Sequence, residues 1–537
     1  MGLATPETIG KLQAALHAKA KRTPDQRFYT LYDKVHRKDV LSFAYRIAKS
    51  NRGVPGVDGQ TFEDIESYGM ERWVGELADE LQEKRYSPQA VRRVLIPKPG
   101  QPGRTRPLGI PTIRDRVAQT AAMLVLEPIF EADLPPEQHA YRPNHSALDA
   151  VRQTCYWVAR GHDEVVDADL SGYFDTIPHA ELMKSVSRRI SDGSMLHLIR
   201  MWLKMPAEET DRRGRIHRTT ENRDTGRGTP QGAPISPLLS NVYMRRFVVG
   251  WKTLGHERRL RAKVINYADD LVICCRKTGS EALRVMHRMM RQLRLTVNEA
   301  KTGVCSARSE TFDFLGYTIG QYRARMTGKA YIGSLASRKS VGAICREVTQ
   351  CTSRRMLWKD LPELVSELNR TLVGWANYFS LGAADRVYRR VDQHVQYRLR
   401  RWLRQKHKLR TSAYRRWPAA FFDRIGLVNL RERRRSLSCA QACDLVRKPD
   451  AGKPHVRFDE RDVETEWATA TAPHPDSTLL PFVRAKRGPK SGASVTIRGS
   501  AQAPRAVMRQ FIQGSLWMRV MSAKPAAARS SVYSAKV

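Results

Sequence analysis

Apolar residues recur at threes and fours through the first fifty positions, as in "FYTLYDKVHRKDVLSFAYRIAK", and that period predicts helices. The pattern stops at "NRGVPGVDG" (Asn51 to Gly59), where three glycines and a proline predict a loop. Helical periodicity returns in "ERWVGELADELQEK" and over residues 114–130 and 145–160. Between them lie the short strand "VRRVLIP" and a Gly/Pro-rich hinge, "KPGQPGRTRPLGIP". "EVVDADLSGYFDTIP" begins as a strand and ends in a turn. After two helical stretches and the Gly/Pro-rich "GRGTPQGAPISPLLSNVYM" comes "KVINYADDLVICC", which reads as strand, tight turn, strand. A helix over 281–293 and two short strands, "LTVN" and "FDFLGYTIG", follow. Strands interleaved with helices, without a strict βαβ rhythm, predict an α+β domain.

From about residue 335 the chain turns to long basic helices. In "RVYRRVDQHVQYRLRRWLRQKHK", Val387, Val391, Val395, Leu399 and Trp402 form one apolar stripe. Arginine and lysine fill most other faces, so that one side packs and the other, Arg398 and Arg401 included, is expected to meet phosphates. Beyond about 465 the sequence shifts to Ala, Pro, Ser and Arg, and poor order is expected there.

Charge sharpens this picture. Lysine and arginine total 93 against 54 acids, a net charge of +39, and such a surplus repels itself unless a polyanion neutralises it. Nucleic acid is the expected partner, with binding that weakens steeply as salt rises. A length of 537 residues allows roughly two to four domains. No run is apolar enough to span a bilayer, no amphipathic anchor stands near either end, and "MGLATPETIGKLQAALHAKAKR" lacks a signal-peptide layout. A soluble, unsecreted protein is expected. Eight scattered cysteines, two of them adjacent (Cys274 and Cys275), suit a reducing compartment better than a disulfide framework.

The chemistry concentrates at Asp269 and Asp270. A turn lets both side chains approach one site, where a pair of like charges alone would carry one raised pKa. A hard divalent cation removes that conflict, and two such ions bridged by carboxylates serve phosphoryl chemistry. A third carboxylate is needed. Asp167, Asp169 and Asp175 in "VVDADLSGYFD" are the candidates, and spacing alone leaves all three open.

"YADD", preceded by "VVDADLSGYFD" and "TPQGAPISPLLSN" and followed by "NEAKTG" and "FDFLGYTIG", resembles the reverse transcriptases encoded by group II introns. "RGVPGVDGQT", "IPKPG", "RPLGIPTIRDRVAQ" and "AYRPNHSALDAV" match that family's successive blocks in order, and "LNRTLVGWANYF" resembles the start of its maturase domain. The resemblance covers about residues 30–430. It implies a right-hand polymerase, with fingers and a palm whose antiparallel sheet carries the YADD hairpin, followed by an α-helical thumb. The expected division is an N-terminal helical extension (1–50), fingers and palm (51–325) and thumb/maturase domain (335–430). A basic segment (431–464) and a poorly ordered tail (465–537) complete it.

The resemblance also selects Asp169, with Asp269 and Asp270, as ligands of two Mg2+ ions, for which Mn2+ can substitute. It places Phe174, five residues after Asp169, as a steric gate against a ribose 2′-OH, and Gln231 against the incoming nucleotide and template. Lys98 and Arg106, with Arg92 in addition, resemble residues that hold the triphosphate. Lys301 matches a general acid near the pyrophosphate, Leu315 and Gly316 the primer grip, and Tyr267 a residue beside the metals. Implied partners are intron RNA, template RNA, a DNA primer or target and dNTPs, with no membrane, in the bacterial cytoplasm and at the nucleoid when mobile. The distal Cys439, Cys443, His455 and His474 form no paired metal-ligand motif, so no endonuclease domain is expected. Competing readings are a maturase that acts by RNA binding alone, and a free-standing reverse transcriptase of the retron, diversity-generating or defence type.

Overall fold

The Lys38–Ser50 helix buries Val40, Leu41, Phe43, Ala44, Ile47 and Ala48, the side that its 3.6-residue period gathers together. Its main neighbour is the Ile113–Glu131 helix, apolar on almost every side and buried almost throughout. Together with the Met70–Gln82, Gly193–Leu203 and Ser236–Thr253 helices they build the largest hydrophobic core. This is a computed structural model, and it describes residues 3–97, 103, 105–211, 213–324, 327–410 and 413–434.

Eleven strands lie among the described residues: β1 (Val91–Pro97), β2 (Thr105–Ile110), β3 (Glu164–Asp169), β4 (Ala207–Thr210), β5 (Ile216–Thr219), β6 (Ala262–Tyr267), β7 (Asp270–Cys275), β8 (Gly303–Ser306), β9 (Thr311–Phe314), β10 (Tyr317–Arg323) and β11 (Ala330–Ala336). They form sheets ordered β2-β1-β4-β5, β6-β7-β3-β8 and β11-β10-β9. The second sheet is antiparallel throughout and positions the site. Alternation along β3 and β7 sends Val166, Ala168, Leu271 and Ile273 into the large core, beneath the Gly279–Gln292 helix. Val165, Val272 and Cys274 face the other way, into a smaller cluster completed by β9 and β10.

The chain after β11 makes its own core from the Arg338–Cys351, Leu361–Tyr378 and Asp385–Lys406 helices. Val391, Val395, Leu399 and Trp402 are buried there, with Val387 half-buried beside them. Ala336 and Trp375 pack against both this core and the cluster behind β9 and β10, which joins the two.

Three expectations need correction. "LTVN" forms no strand: Leu295 is drawn into the core and only Val297 makes a single bridge, to Leu170. "FDFLGYTIG" is two strands, because Leu315 and Gly316 take φ of 48° and 80° and reverse the chain between β9 and β10. Arg398 does not face solvent: its guanidinium donates to Thr352 Oγ1 (3.0 Å), Thr349 O (3.1 Å) and Thr352 O (3.2 Å), which ties off the Arg338–Cys351 helix. No helix among the described residues is long and apolar enough to cross a membrane. Residues 435–537, with Cys439, Cys443, His455, His474 and the tail, lie outside the described residues, as does Lys98.

Candidate active site

Strands β6 and β7 are joined by the two residues Ala268 and Asp269, with Tyr267 paired to Asp270 at the hairpin's last rung. Ala268 holds φ of 57°, a conformation costly for a residue with a Cβ and typical of strain kept at a functional site. Asn266 pins the turn, its Nδ2 donating to Ala268 O at 2.9 Å and Asp270 O at 3.3 Å. On the other side of β7, Asp270 lies directly opposite Asp169 of β3.

Like charges paired across strands repel. Burial first, then Asp269, Asp169 and Asp167, push the Asp270 carboxyl up to about 7. Asp269 is also raised, chiefly by burial and further by Asp169, while Arg106 and Lys301 pull it back. Asp169 is the carboxylate with a cation bonded to it. Its Oδ2 accepts from Lys301 Nζ and from Asn298 Nδ2, both at 2.9 Å, and its carbonyl accepts from Asn298 N at 2.8 Å.

The register separates the three aspartates that spacing left open. Asp169 meets the hairpin. Asp167 sits two rungs back, opposite Val272 and Gly303, its carboxyl raised to about 6 by burial, Asp169 and Asp313. Asp175 turns away and accepts from Gln231 Nε2 at 2.7 Å.

As placed, no three acidic, histidine or cysteine side chains among the described residues stand close enough to enclose a metal ion. The donors nonetheless fit one in kind. Asp169, Asp269 and Asp270 offer hard oxygens at one end of the sheet, two of them with carboxyls held above their ordinary range by burial and by neighbouring carboxylates.

Phe174 lies on the one-turn helix Tyr173–Thr176, half-buried, 6.3 Å from the Tyr141 ring and 5.7 Å from that of Tyr173. Its carbonyl accepts from Thr229 N (2.7 Å), and Gln231 O accepts from Gly109 N (2.7 Å), so the "TPQG" loop is stitched to both Phe174 and β2. Gly232, at φ 111°, has to be glycine, since a Cβ there would come within 2.6 Å of Gly109 O. Arg106 acts on Asp269, Asp175 and Tyr141. Arg92 acts instead on Asp58 and Arg116, and it is the neighbouring Arg93 whose charge reaches Asp175. The Tyr267 hydroxyl is raised by burial and by Asp270.

The Leu315–Gly316 turn is held from the following domain. Tyr378 Oη donates to Leu315 O (2.9 Å), and Ser340 Oγ (2.9 Å) and Ser337 N (2.8 Å) donate to Gly316 O. The Tyr378 hydroxyl is raised by burial and then by Tyr267 and Asp270. Asn298, Arg93, Ser340 and Tyr378 were not singled out from sequence. "NEAKTG" and "GWANYF" contain Asn298 and Tyr378 without showing where these side chains reach.

Residues 96–319 match the family model for reverse transcriptase (RNA-dependent DNA polymerase). Residues 341–419 match that for the maturase-specific domain of group II introns. Protein YkfC of Escherichia coli is 32% identical over 375 residues, 62% of this chain and 93% of YkfC. The group II intron-encoded protein LtrA of Lactococcus lactis is 32% identical over 223 residues, 41% of this chain but only 35% of LtrA. A telomerase structure from Candida albicans, in complex with a fragment of telomeric RNA, covers 64% of this chain and 67% of its own at 12% identity and a TM-score of 0.35, too slight a likeness to add to these. A reverse transcriptase segment running directly into a maturase segment, on a chain that spans almost all of one relative, places this protein in the family of group II intron-encoded reverse transcriptases with a maturase domain.

Proposed function

We propose that this protein extends a DNA primer along an RNA template at Asp169, Asp269 and Asp270, and that it binds its own intron RNA to assist splicing and mobility. The pairing of Asp169 with Asp270 across β3 and β7, with Asp269 in the adjoining turn, carries this reading. A protein that only bound RNA would have no use for three carboxylates gathered at such electrostatic cost. Magnesium held by these three side chains, or manganese in its place, supplies charge neutralisation at the transferring phosphate and activation of the attacking 3′-OH when bound.

The protein's own groups supply the rest. Phe174 fills the space that a ribose 2′-OH would need. Gln231, held by Asp175, lies against the nucleotide and template, and Arg106, with Lys98, offsets triphosphate charge. Lys301 Nζ is bonded to Asp169, and its ammonium is free to donate to pyrophosphate only after leaving that carboxylate. Leu315 and Gly316 position the primer end. In this reading residues 51–325 are fingers and palm and 335–430 the thumb, with 1–50 an N-terminal helical extension, all working in the bacterial cytoplasm.

The deciding experiment is to purify the protein from its native cell and sequence the RNA that accompanies it. One dominant structured RNA containing the protein's own reading frame supports the intron ribonucleoprotein. A different small RNA, or none, keeps the polymerase and moves its biology to a free-standing enzyme.

A further inference from the structure

The basic charge of this molecule is unevenly distributed. Residues 61–90 carry eight acids against three lysines and arginines, whereas residues 252–294 carry four acids against eleven. Of those four acids, Asp269 and Asp270 belong to the candidate active site and Glu257 is paired with Lys263. Glu281 is bonded to Arg259, and Lys252 reaches outside the segment to Glu137.

The Gly279–Gln292 helix arranges these charges. Its buried face (Ala282, Val285, Met286, Met289 and Met290) covers the side of the sheet that carries Val166, Ala168, Leu271 and Ile273. Its opposite face presents Arg284, Arg288 and Arg291 at i, i+4 and i+7, all exposed; the acid nearest Arg284, Glu281, is already bonded to Arg259. The short helix His256–Arg259 is joined to it by the Arg259–Glu281 ion pair. Arg259 and Arg288 both add to the burial that lowers the His256 pKa, and Arg284 joins Arg259 in holding the Glu281 carboxyl low. Four guanidinium groups therefore share one surface.

That surface lies on the far side of the sheet from the carboxylates. Asp169 and Asp270 project on the face opposite to Val166 and Ile273, and a helix about 10 Å across stands between the sheet and the arginines. A primer and template seated at Asp169 would leave these arginines uncovered. Arg284 to Arg291 extend about 10 Å along the helix at about 1.5 Å per residue, enough for several backbone phosphates, and the arginine fork suits phosphate oxygens.

We propose that Arg259, Arg284, Arg288 and Arg291 form a second nucleic-acid surface, which grips the phosphate backbone of a folded RNA while the opposite face of the sheet is occupied by primer and template. The identity of that RNA rests on the intron reading above, whereas the existence of the surface does not.

The test uses the full-length protein, a 3′-blocked folded RNA hairpin and, separately, a short primer–template. The triple variant Arg284→Glu, Arg288→Glu, Arg291→Glu is expected to bind the hairpin at least tenfold more weakly. Its log–log salt slope should be shallower by about 2, since each phosphate no longer neutralised lowers the slope by about 0.7–0.9. Primer extension should stay within about twofold, and primer–template should not displace hairpin from the unaltered protein. Unchanged hairpin affinity and slope in a folded variant would overturn the proposal, as would mutual displacement of the two nucleic acids. If the glutamates impair folding, the matching glutamines repeat the slope measurement, and an unchanged slope is equally decisive. Absence of primer extension by the unaltered protein would sink the polymerase reading and leave the hairpin result standing.

Discussion

Tyr378 donates its hydroxyl hydrogen to the carbonyl of Leu315, 2.9 Å away and 63 residues earlier in the chain. The helix that ends at Tyr378 belongs to the maturase-matching segment, and the carbonyl that it holds belongs to the turn expected to grip the primer. Tyr378→Phe keeps the ring and removes the bond. We expect primer–template affinity to fall about three- to tenfold, in line with about 0.5–1.5 kcal/mol for one such hydrogen bond, with kcat at saturation unchanged. Equilibrium binding and single-turnover extension measure the two separately; unaltered affinity would mean that Ser337 and Ser340 hold the turn unaided.

Removing either kind of carboxylate should stop the chemistry without unfolding the protein. Asp169→Asn and Asp269→Ala are each expected to reduce primer extension by about a thousandfold or more, while affinity for structured RNA changes by less than about twofold. Loss of both properties together would indicate misfolding and would be visible in the thermal melt.

Phe174 is braced by Tyr141 and Tyr173, so shortening it opens space without moving its neighbours. Phe174→Ala should admit ribonucleotides about 10- to 200-fold more readily relative to deoxynucleotides, the range over which the shape of an apolar pocket discriminates. The comparison of kcat/KM for a dNTP and its rNTP checks this, and an unchanged ratio would remove Phe174 from the gate.

The Asp270 carboxyl, pushed up to about 7 by burial and by Asp269, Asp169 and Asp167, gives the metal-free protein a pH dependence of definite sign. An acid whose pKa is higher folded than unfolded lowers stability once it ionises. The penalty is absent below the unfolded value of about 4, grows between that value and about 7, and is complete above. Thermal melts in EDTA should therefore show Tm falling as pH rises through this window. Magnesium should raise Tm more at about pH 8 than at about pH 5, and Asp270→Asn should flatten both trends.

Two arginines on the Asp385–Lys406 helix should behave differently. Arg398 caps the Arg338–Cys351 helix through three hydrogen bonds, so Arg398→Ala is expected to cost about 1–3 kcal/mol of stability. Arg401 is exposed, and Arg401→Glu should instead weaken RNA binding and its salt dependence at unchanged Tm. Denaturant titration and RNA binding on both variants distinguish the two roles.

Local pattern carried much of this structure. The period of residues 38–50, the alternation in β3 and a tight turn between β6 and β7 are each written in neighbouring positions and were readable, although the turn takes Ala268 and Asp269 and leaves Asp270 on β7. Spacing did not separate Asp169 from Asp167, and only the family resemblance chose between them, because the choice depends on which rung of β3 faces Asp270, and register is set by packing on both faces. Likewise nothing near Asn298 or Tyr378 announces that one reaches Asp169 and the other Leu315. Arg398 misled for the same reason: a charged residue on a basic helix suggests solvent until Thr349 and Thr352 are brought beside it.

The joint at Ala336 and Trp375 bears on how such proteins can diversify. Exchange of C-terminal halves between relatives at a break just after Gly316 would part Leu315 and Gly316 from the Tyr378 and Ser340 that hold their carbonyls, and would set a foreign ring against Gly316, where a Cβ would stand 3.4 Å from Phe379. A break ahead of β9 keeps that whole clasp on one parent. Viable chimaeras should therefore have crossover points upstream of Thr311, with β9, β10 and the helices after them inherited as a single block.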